Sequence, residues 1–168
     1  MKKRGKIGVH LIHCLIYIIE IGLLSNVVAL FFPRKWFHAD RFPFRQYKWE
    51  KKGRIYIRLG IRKWKDRVPD MSKVLPFLYR KKVDRQRSEE NLLRLIQETC
   101  VAELIHSLLC LAALWVVHIW PGKWGWIFWI CYCAANLPFM MIQRFNRPRL
   151  CAALSRMQVR NAVSAQQA

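Results

Sequence analysis

Three stretches of the chain are apolar and long enough to form membrane-spanning helices. Residues 7–32 and residues 101–120 each contain one formal charge, and residues 124–142 contain none. A helix needs roughly 20 apolar residues to cross a bilayer core about 30 Å thick. The pattern therefore predicts an all-α integral membrane protein with about three transmembrane helices and a basic, aromatic-rich interface region.

A helix signal precedes the middle apolar stretch. Ser88 is a good N-cap, and the carboxylates of Glu89 and Glu90 favour the positive end of a helix. No breaker follows until Pro121, so one helix is expected to run from the interface into the bilayer. The chain is then one membrane domain, 1–168, with these parts: a first span (7–32), an interfacial region (33–87), an interfacial helix that becomes the second span (88–120), a third span (124–143) and a tail (144–168).

The N-terminal segment resembles a signal peptide, because "MKKRGK" precedes an apolar run. The run is too long for the apolar core of a signal peptide, and no small-x-small cleavage pattern precedes "FFPRKW". We expect the segment to be retained in the membrane. It either spans the bilayer or turns back at "SNVV" (25–28), and we favour spanning.

Basic residues are concentrated between the first two spans. Of the 30 Lys and Arg, 20 lie in residues 33–99, whereas the loop "PGKWG" between the last two spans contains only Lys123. Cytoplasmic loops carry the excess of Lys and Arg, so residues 33–99 and the tail are expected in the cytoplasm and the loop outside. The protein is thus expected to be a multi-pass protein of the cell membrane.

Aromatic and basic residues alternate through "RKWFHADRFPFRQYKWEKKGRIYIRLGIRKWKD" (34–66). This composition suits the lipid headgroup layer, where rings lie at the interface and cations meet anionic lipid. It also fits RNA binding. The membrane spans already explain the pattern, so membrane lipids are expected as partners and nucleic acid is not.

A polar stripe lies at the start of the second span. Its members stand at i, i+3, i+4 and i+7 on one helix face: Thr99, Ala102, Glu103 and His106. A buried acid costs about 2.5–3.5 kcal/mol on membrane-insertion scales, so the stripe requires polar partners.

The run "QRFNRPR" at the end of the third span is the expected source of those partners. The turn near Lys123 makes the last two spans an antiparallel hairpin. Counting equal distances from that turn places Glu103 level with Gln143. The same count places His106 level with Met140, so the two polar groups are expected to meet at one depth.

This meeting has a structural interpretation. Arg144 or Arg147 pairs with Glu103, and the remaining arginines reach lipid phosphates. Asn146 binds the last carbonyls of the helix, and Pro148 ends it.

It also has a catalytic interpretation. His106 acts as a general base near neutral pH, and Glu103 orients it. The planar arginine side chains suit phosphate or carboxylate recognition. Ionisable groups inside a membrane segment are functional candidates.

Three motifs resemble the glycosyl-4,4'-diaponeurosporenoate acyltransferase family of staphyloxanthin-type carotenoid synthesis. They are "RKWKDRVPD" (62–70), "ETCVAELIH" (98–106) and "ANLPFMMIQRFNRPRL" (135–150), and the resemblance covers roughly residues 33–155. It implies an acyltransferase that moves a fatty acyl group onto a sugar hydroxyl of a glycosylated carotenoid or a similar glycolipid.

The resemblance also implies the site residues. His106 is the expected base and Glu103 its orienter, while Phe145 stands where the family commonly has Tyr. Residues expected to bind the substrate or hold the oxyanion or donor phosphates are Thr99, Gln143, Arg144, Asn146, Arg147 and Arg149, joined by Arg62, Lys63 and Lys65 if "RKWK" folds over the site.

Partners follow from this chemistry. A lipidic glycoside is the expected acceptor, and acyl-CoA or a similar thioester is the expected donor and co-substrate, with no further cofactor. The motifs GxSxG and HxxxxD are absent from the sequence. No metal site is expected, because the other histidines are scattered at His10, His13, His38 and His118.

Two alternatives stay open at this stage. A non-catalytic membrane protein could bind anionic lipid or a partner through the same basic interface. A small membrane methyltransferase or reductase would need a nucleotide cofactor, and the sequence has no glycine-rich cradle for one.

The charge pattern makes a topology prediction. In intact cells, and with the natural cysteines removed, a cysteine at Lys73 should resist a membrane-impermeant thiol reagent, whereas a cysteine at Gly122 should react. The reverse labelling would contradict a cytoplasmic position of residues 33–99.

Overall fold

The computed structural model describes residues 2–68 and 88–167, and every regular element within those residues is helical. The α-helices are α1 (Lys2–Phe31), α2 (Arg54–Arg58), α3 (Ile61–Trp64), α4 (Glu89–Ala112), α5 (Val116–Ile119) and α6 (Lys123–Gln166). Short 3-10 turns lie at Arg34–Trp36, Lys48–Gly53, Lys65–Arg67 and Ala113–Trp115. Three segments are long and apolar enough to cross a membrane, namely Ile7–Phe31, Glu89–Ile119 and Lys123–Gln166. The predicted all-α fold with about three transmembrane helices is therefore confirmed.

The first segment is one unbroken helix. α1 has 30 residues, which corresponds to about 45 Å at 1.5 Å per residue and exceeds the thickness of a bilayer core. Ser25 and Asn26 lie within this helix and do not form a turn. Both side chains donate to the carbonyl of Gly22 in the same helix, at 2.8 Å and 2.7 Å. The alternative that the segment turns back at residues 25–28 is therefore wrong.

The second helical segment begins at the predicted cap. The backbone N–H of Asn91 donates to Ser88 Oγ at 3.2 Å, so Ser88 caps α4. α4 runs without a break to Ala112, where a 3-10 turn carries the chain into α5.

The third helix extends beyond the expected end. α6 has 44 residues and passes through Pro148 to Gln166, so the expectation that Pro148 ends the helix is wrong. A proline inside a helix costs about 3 kcal/mol. Around Pro148, Phe145 is buried, and the Pro148 ring lies 3.7 Å from the position that a Cβ on Gly53 would take.

The chain divides into two compact units. The membrane unit comprises Met1–Phe32 and Ala102–Met140, and the basic unit comprises Pro33–Val101 and Met141–Ala168. Within the interfacial region expected at 33–87, residues 69–87 lie outside the described residues.

The membrane unit has a small apolar core. Cys14, Ala113 and Val116 are fully buried. Packed around them are Ile21, Ile119, Trp120, Phe128, Trp129 and Tyr132. Large apolar side chains elsewhere on α1 are exposed, including Ile19 and Leu23, as expected for a helix surface that faces lipid.

Side chains bind the main-chain oxygens around the 3-10 turn that follows α4. Three donors each lie 2.9 Å from a carbonyl oxygen: Tyr17 Oη from Ala112, His10 Nδ1 from Ile119 and Trp129 Nε1 from Cys110. Because hydrocarbon offers no water to a backbone carbonyl, these bonds stabilise an irregular stretch within an apolar segment.

The basic unit packs short helical turns against one helix. Its core is formed by Tyr56 and Ile61 with Phe145 of α6. Gly53 has φ +81°, a left-handed conformation in which a Cβ would be strained. Arg34 Nε pairs with Glu98 Oε1 at 2.9 Å, which links the 33–36 turn to α4.

For the cysteine-labelling experiment, two other positions are more suitable than Lys73 and Gly122. Lys73 lies outside the described residues, so the exposed Arg58 in α2 replaces it. Gly122 has φ +92°, which disfavours cysteine, so the neighbouring exposed Lys123 replaces it.

At the hairpin turn, Gly125 lies close to the backbone of Trp120. A Cβ at Gly125 would lie 2.2 Å from the carbonyl oxygen of Trp120, so Gly125→Ala must displace backbone. We expect it to destabilise the protein by about 1–3 kcal/mol, which lowers the melting temperature by roughly 2–4 °C per kcal/mol. Gly22→Ala is the matched control, because nothing lies within 4 Å of that Cβ position. Equal melting temperatures for the two variants would contradict the close approach.

Candidate functional site

His106 is held by two residues of the neighbouring helix in the membrane unit. Its Nδ1 lies 2.8 Å from Asn136 Oδ1. Its ring stacks on Phe139, with centroids 4.7 Å apart and planes 16° from parallel. His106 is only partly buried, so the imidazole is both oriented and accessible.

The hairpin register near His106 is close to the predicted one. Ser107 Oγ lies 3.5 Å from Met140 Sδ, one residue away from the expected pairing of His106 with Met140. Ser107 Oγ also donates to the Glu103 carbonyl at 2.9 Å. Glu103 itself is buried, with 6% of its surface exposed, and its role as orienter and its meeting with Gln143 stay predictions.

Sequence reasoning missed Asn136. This residue is the sole amide in the apolar stretch 124–142, which is the signal that could have singled it out. Counting from the turn places Asn136 opposite Cys110, about one helical turn from His106. Register alone therefore does not reveal the contact.

Arg144 binds a carboxylate in the basic unit. Its Nη1 donates to Glu50 Oε1 at 3.1 Å, and its Nη2 donates to the Pro43 carbonyl at 2.9 Å. Glu50 is almost fully buried and accepts two further bonds, from the Tyr56 hydroxyl at 2.5 Å and from the Tyr47 backbone N–H at 2.7 Å. The buried negative charge is thus compensated by a cation and two neutral donors.

Arg147 is buried as well, with 4% of its surface exposed. Its Nε donates to Thr99 Oγ1 at 2.9 Å, and its Nη2 donates to the Thr99 carbonyl at 3.0 Å. Its Nη1 donates to the Phe44 carbonyl at 2.7 Å, and the guanidinium lies 5.5 Å from the centroid of the Phe44 ring. Thr99 Oγ1 in turn donates to the Ile96 carbonyl at 2.6 Å.

These contacts give both arginines a structural role within the basic unit. They attach the neighbouring carbonyls of Pro43 and Phe44 to α6. Sequence reasoning missed Glu50, although it is one of only three acidic residues in 33–68.

The other predicted binding residues are more accessible. Gln143 and Asn146 are partly exposed, and neither side chain has a hydrogen-bond partner among the residues that the structure describes. Lys65 Nζ pairs with Asp66 at 2.9 Å. Lys63 is exposed.

Arg149 and Arg62 are both exposed cations of the basic unit. Arg149 donates to the Phe145 carbonyl and stacks on the Phe145 ring, 3.4 Å from its centroid. These contacts hold the Arg149 side chain in place, whereas Arg62 is exposed. Across the described ranges 2–68 and 88–167, no group of three or more His, Cys, Asp and Glu side chains could hold a metal ion.

Comparison with known proteins identifies the family. The family model described as glycosyl-4,4'-diaponeurosporenoate acyltransferase matches residues 33–156. A protein of that name from Staphylococcus aureus (strain MRSA252) is 28% identical over 138 residues, which are 82% of this chain and 83% of the relative. Another from Staphylococcus haemolyticus (strain JCSC1435) is 33% identical over 109 residues, 64% of this chain and 63% of the relative. No solved structure matches the chain.

The matched range contains His106, Asn136 and the whole of "QRFNRPR". It agrees with the range that the three motifs predicted. The chain therefore belongs to the glycosyl-4,4'-diaponeurosporenoate acyltransferase family and is an acyltransferase.

Proposed function

We propose that the protein transfers a fatty acyl group from a thioester such as acyl-CoA to a sugar hydroxyl of a glycosylated carotenoid or similar glycolipid. Family membership supports the acyl transfer and the glycosylated carotenoid, because the relatives carry that substrate in their name. The observation that carries the proposal is the accessible imidazole of His106 on an apolar helix, oriented by contacts from the facing helix.

His106 is the general base of the proposed reaction. It takes the proton from the sugar hydroxyl as the oxygen attacks the thioester carbonyl carbon. The tetrahedral oxyanion then collapses, the carbon–sulfur bond breaks, and the thiolate leaves with the proton that His106 returns. An ester and a free thiol result, so atoms and charge balance.

The exposed polar groups of the basic unit bind the donor in this proposal. The amides of Gln143 and Asn146 supply N–H groups for oxygen atoms of the donor. The exposed cations Arg62, Lys63 and Arg149 bind the donor's phosphates, because planar guanidinium groups match phosphate oxygens.

Arg144 and Arg147 support this surface from within the fold. Their donors are engaged by the Glu50 carboxylate, the Thr99 hydroxyl and three main-chain carbonyls, so we assign them to scaffolding and not to direct donor binding. The carboxylate that Arg144 binds is Glu50, and the expected pairing of Arg144 or Arg147 with Glu103 stays a prediction.

The proposed location is the cytoplasmic interface of the cell membrane. An acceptor with an apolar tail keeps that tail in lipid while its sugar meets a water-soluble donor. Three apolar helices and a basic, aromatic-rich region supply such an interface. In the alternative of a non-catalytic lipid-binding protein, the same basic surface would bind anionic lipid and His106 would have only a structural role.

The first prediction of the proposal concerns His106. His106→Gln keeps hydrogen bonding and similar volume but cannot take up a proton, so kcat for acyl transfer should fall by about 10²- to 10⁴-fold. The measurement is acyl transfer by the full chain in detergent, at unchanged melting temperature. His118→Gln is the matched control, since His118 lies in the same unit and packs against Trp115.

Full activity of His106→Gln would contradict the base assignment. Equal losses in the His106 and His118 variants would point to a general effect on the fold and would also count against it.

The second prediction tests whether Arg147 stabilises the fold or binds the acyl donor. Lysine keeps the charge but cannot make three divergent bonds, so Arg147→Lys should destabilise the protein by at least about 1.5–3 kcal/mol. Its KM for acyl-CoA should stay at the wild-type value when measured below the melting transition. Arg156→Lys, at an exposed position of α6, should change neither quantity. A raised KM with unchanged stability would make Arg147 a donor ligand.

A further inference from the structure

Asn136 is a buried amide in an apolar stretch of α6, with 6% of its surface exposed. An amide taken from water into such surroundings costs several kcal/mol unless its polar atoms are bonded. Both polar atoms are bonded in the structure. Nδ2 donates to the Tyr132 carbonyl at 2.9 Å, and Oδ1 faces His106 Nδ1 at 2.8 Å.

These two bonds determine which way the amide points. The Tyr132 carbonyl oxygen can only accept a hydrogen bond, so the atom of Asn136 beside it must be the N–H₂ group. The atom that faces His106 is then the amide oxygen, which also can only accept. His106 Nδ1 must therefore carry the hydrogen of this bond.

A neutral imidazole carries one hydrogen, so a hydrogen on Nδ1 leaves the lone pair on Nε2. The stack on Phe139 fixes the plane of the ring. Phe139 stands three residues after Asn136 on the same helix, so one face of α6 determines both the tautomer and the ring orientation.

We propose that Asn136 is a positioning residue that holds His106 in the Nδ1–H tautomer, so that Nε2 is the basic atom of the acyl transfer. The proposal rests on the proposed function of His106 as base. A neutral amide suits this role in an apolar segment, because it accepts from neutral and protonated imidazole alike and adds no charge to the segment.

The direct test determines which ring nitrogen of His106 carries the hydrogen. The full chain is labelled with ¹⁵N-histidine and studied by NMR in detergent, above the pH at which His106 is protonated. The His106 signals are identified as those that are lost in His106→Gln. The wild type should show a protonated Nδ1 and a bare Nε2. A protonated Nε2 in the wild type would overturn the proposal, whatever the activity of any variant.

The kinetic test uses Asn136→Leu, which has similar size and no acceptor. This variant should lose the Nδ1–H preference, and its kcat should fall by about 10²-fold, the lower end of what a general base contributes. KM for the donor and the acceptor should not change, because Asn136 touches neither substrate. Asn136→Gln keeps a neutral amide with its acceptor oxygen and should recover both the tautomer and part of kcat.

Asn26→Leu is the matched control. Asn26 makes the same bond to the carbonyl four residues earlier, at 2.7 Å in α1, so the control removes an equivalent intrahelical bond and leaves the His106 contact intact. Its kcat and the His106 tautomer should match the wild type.

The outcomes separate the two proposals. Wild-type kcat in Asn136→Leu, or equal losses in the Asn136→Leu and Asn26→Leu variants, would overturn the positioning role. If His106→Gln is active and the wild type has the Nδ1–H tautomer, His106 is not the base. In that case Asn136 still fixes the tautomer of the His106 ring.

Discussion

Guanidinium groups bound to main-chain oxygens hold the basic unit together. Arg147 donates three hydrogen bonds, and Arg144 joins the Pro43 carbonyl to the carboxylate of Glu50. Removing one partner of such a buried pair costs about 3–5 kcal/mol, because the remaining charge is left without compensation. The chain around Phe44 has little regular structure, so these contacts hold it against α6.

The same requirement for bonded polar groups shapes the membrane unit. Where α4 gives way to a 3-10 turn, the carbonyls near it accept bonds from side chains of α1 and α6. Asn136 is tolerated in an apolar helix because its amide is bonded at both ends. The bond that satisfies Asn136 is also the bond that orients His106, so stability and the proposed chemistry depend on one contact.

The polar motif of α6 combines two kinds of residue. Arg144 and Arg147 bind other residues of the basic unit, and Arg147 is buried. Gln143, Asn146 and Arg149 lie beside them along the same helix; the first two are partly exposed and Arg149 is exposed. A helical segment thereby binds the interfacial region on one face and presents donors on another. This arrangement explains why so many polar groups follow an apolar span.

The sequence by itself determined the all-α fold, the three apolar helices, the Ser88 cap and the family, because each depends on local composition, periodicity or motif. It did not determine the end of α6, since the helix continues through Pro148, a local helix breaker, to Gln166. The partners of the polar groups were decided by tertiary structure alone. Glu50 and Asn136 lie 94 and 30 residues from the side chains they bind, and no local signal carries information over such separations.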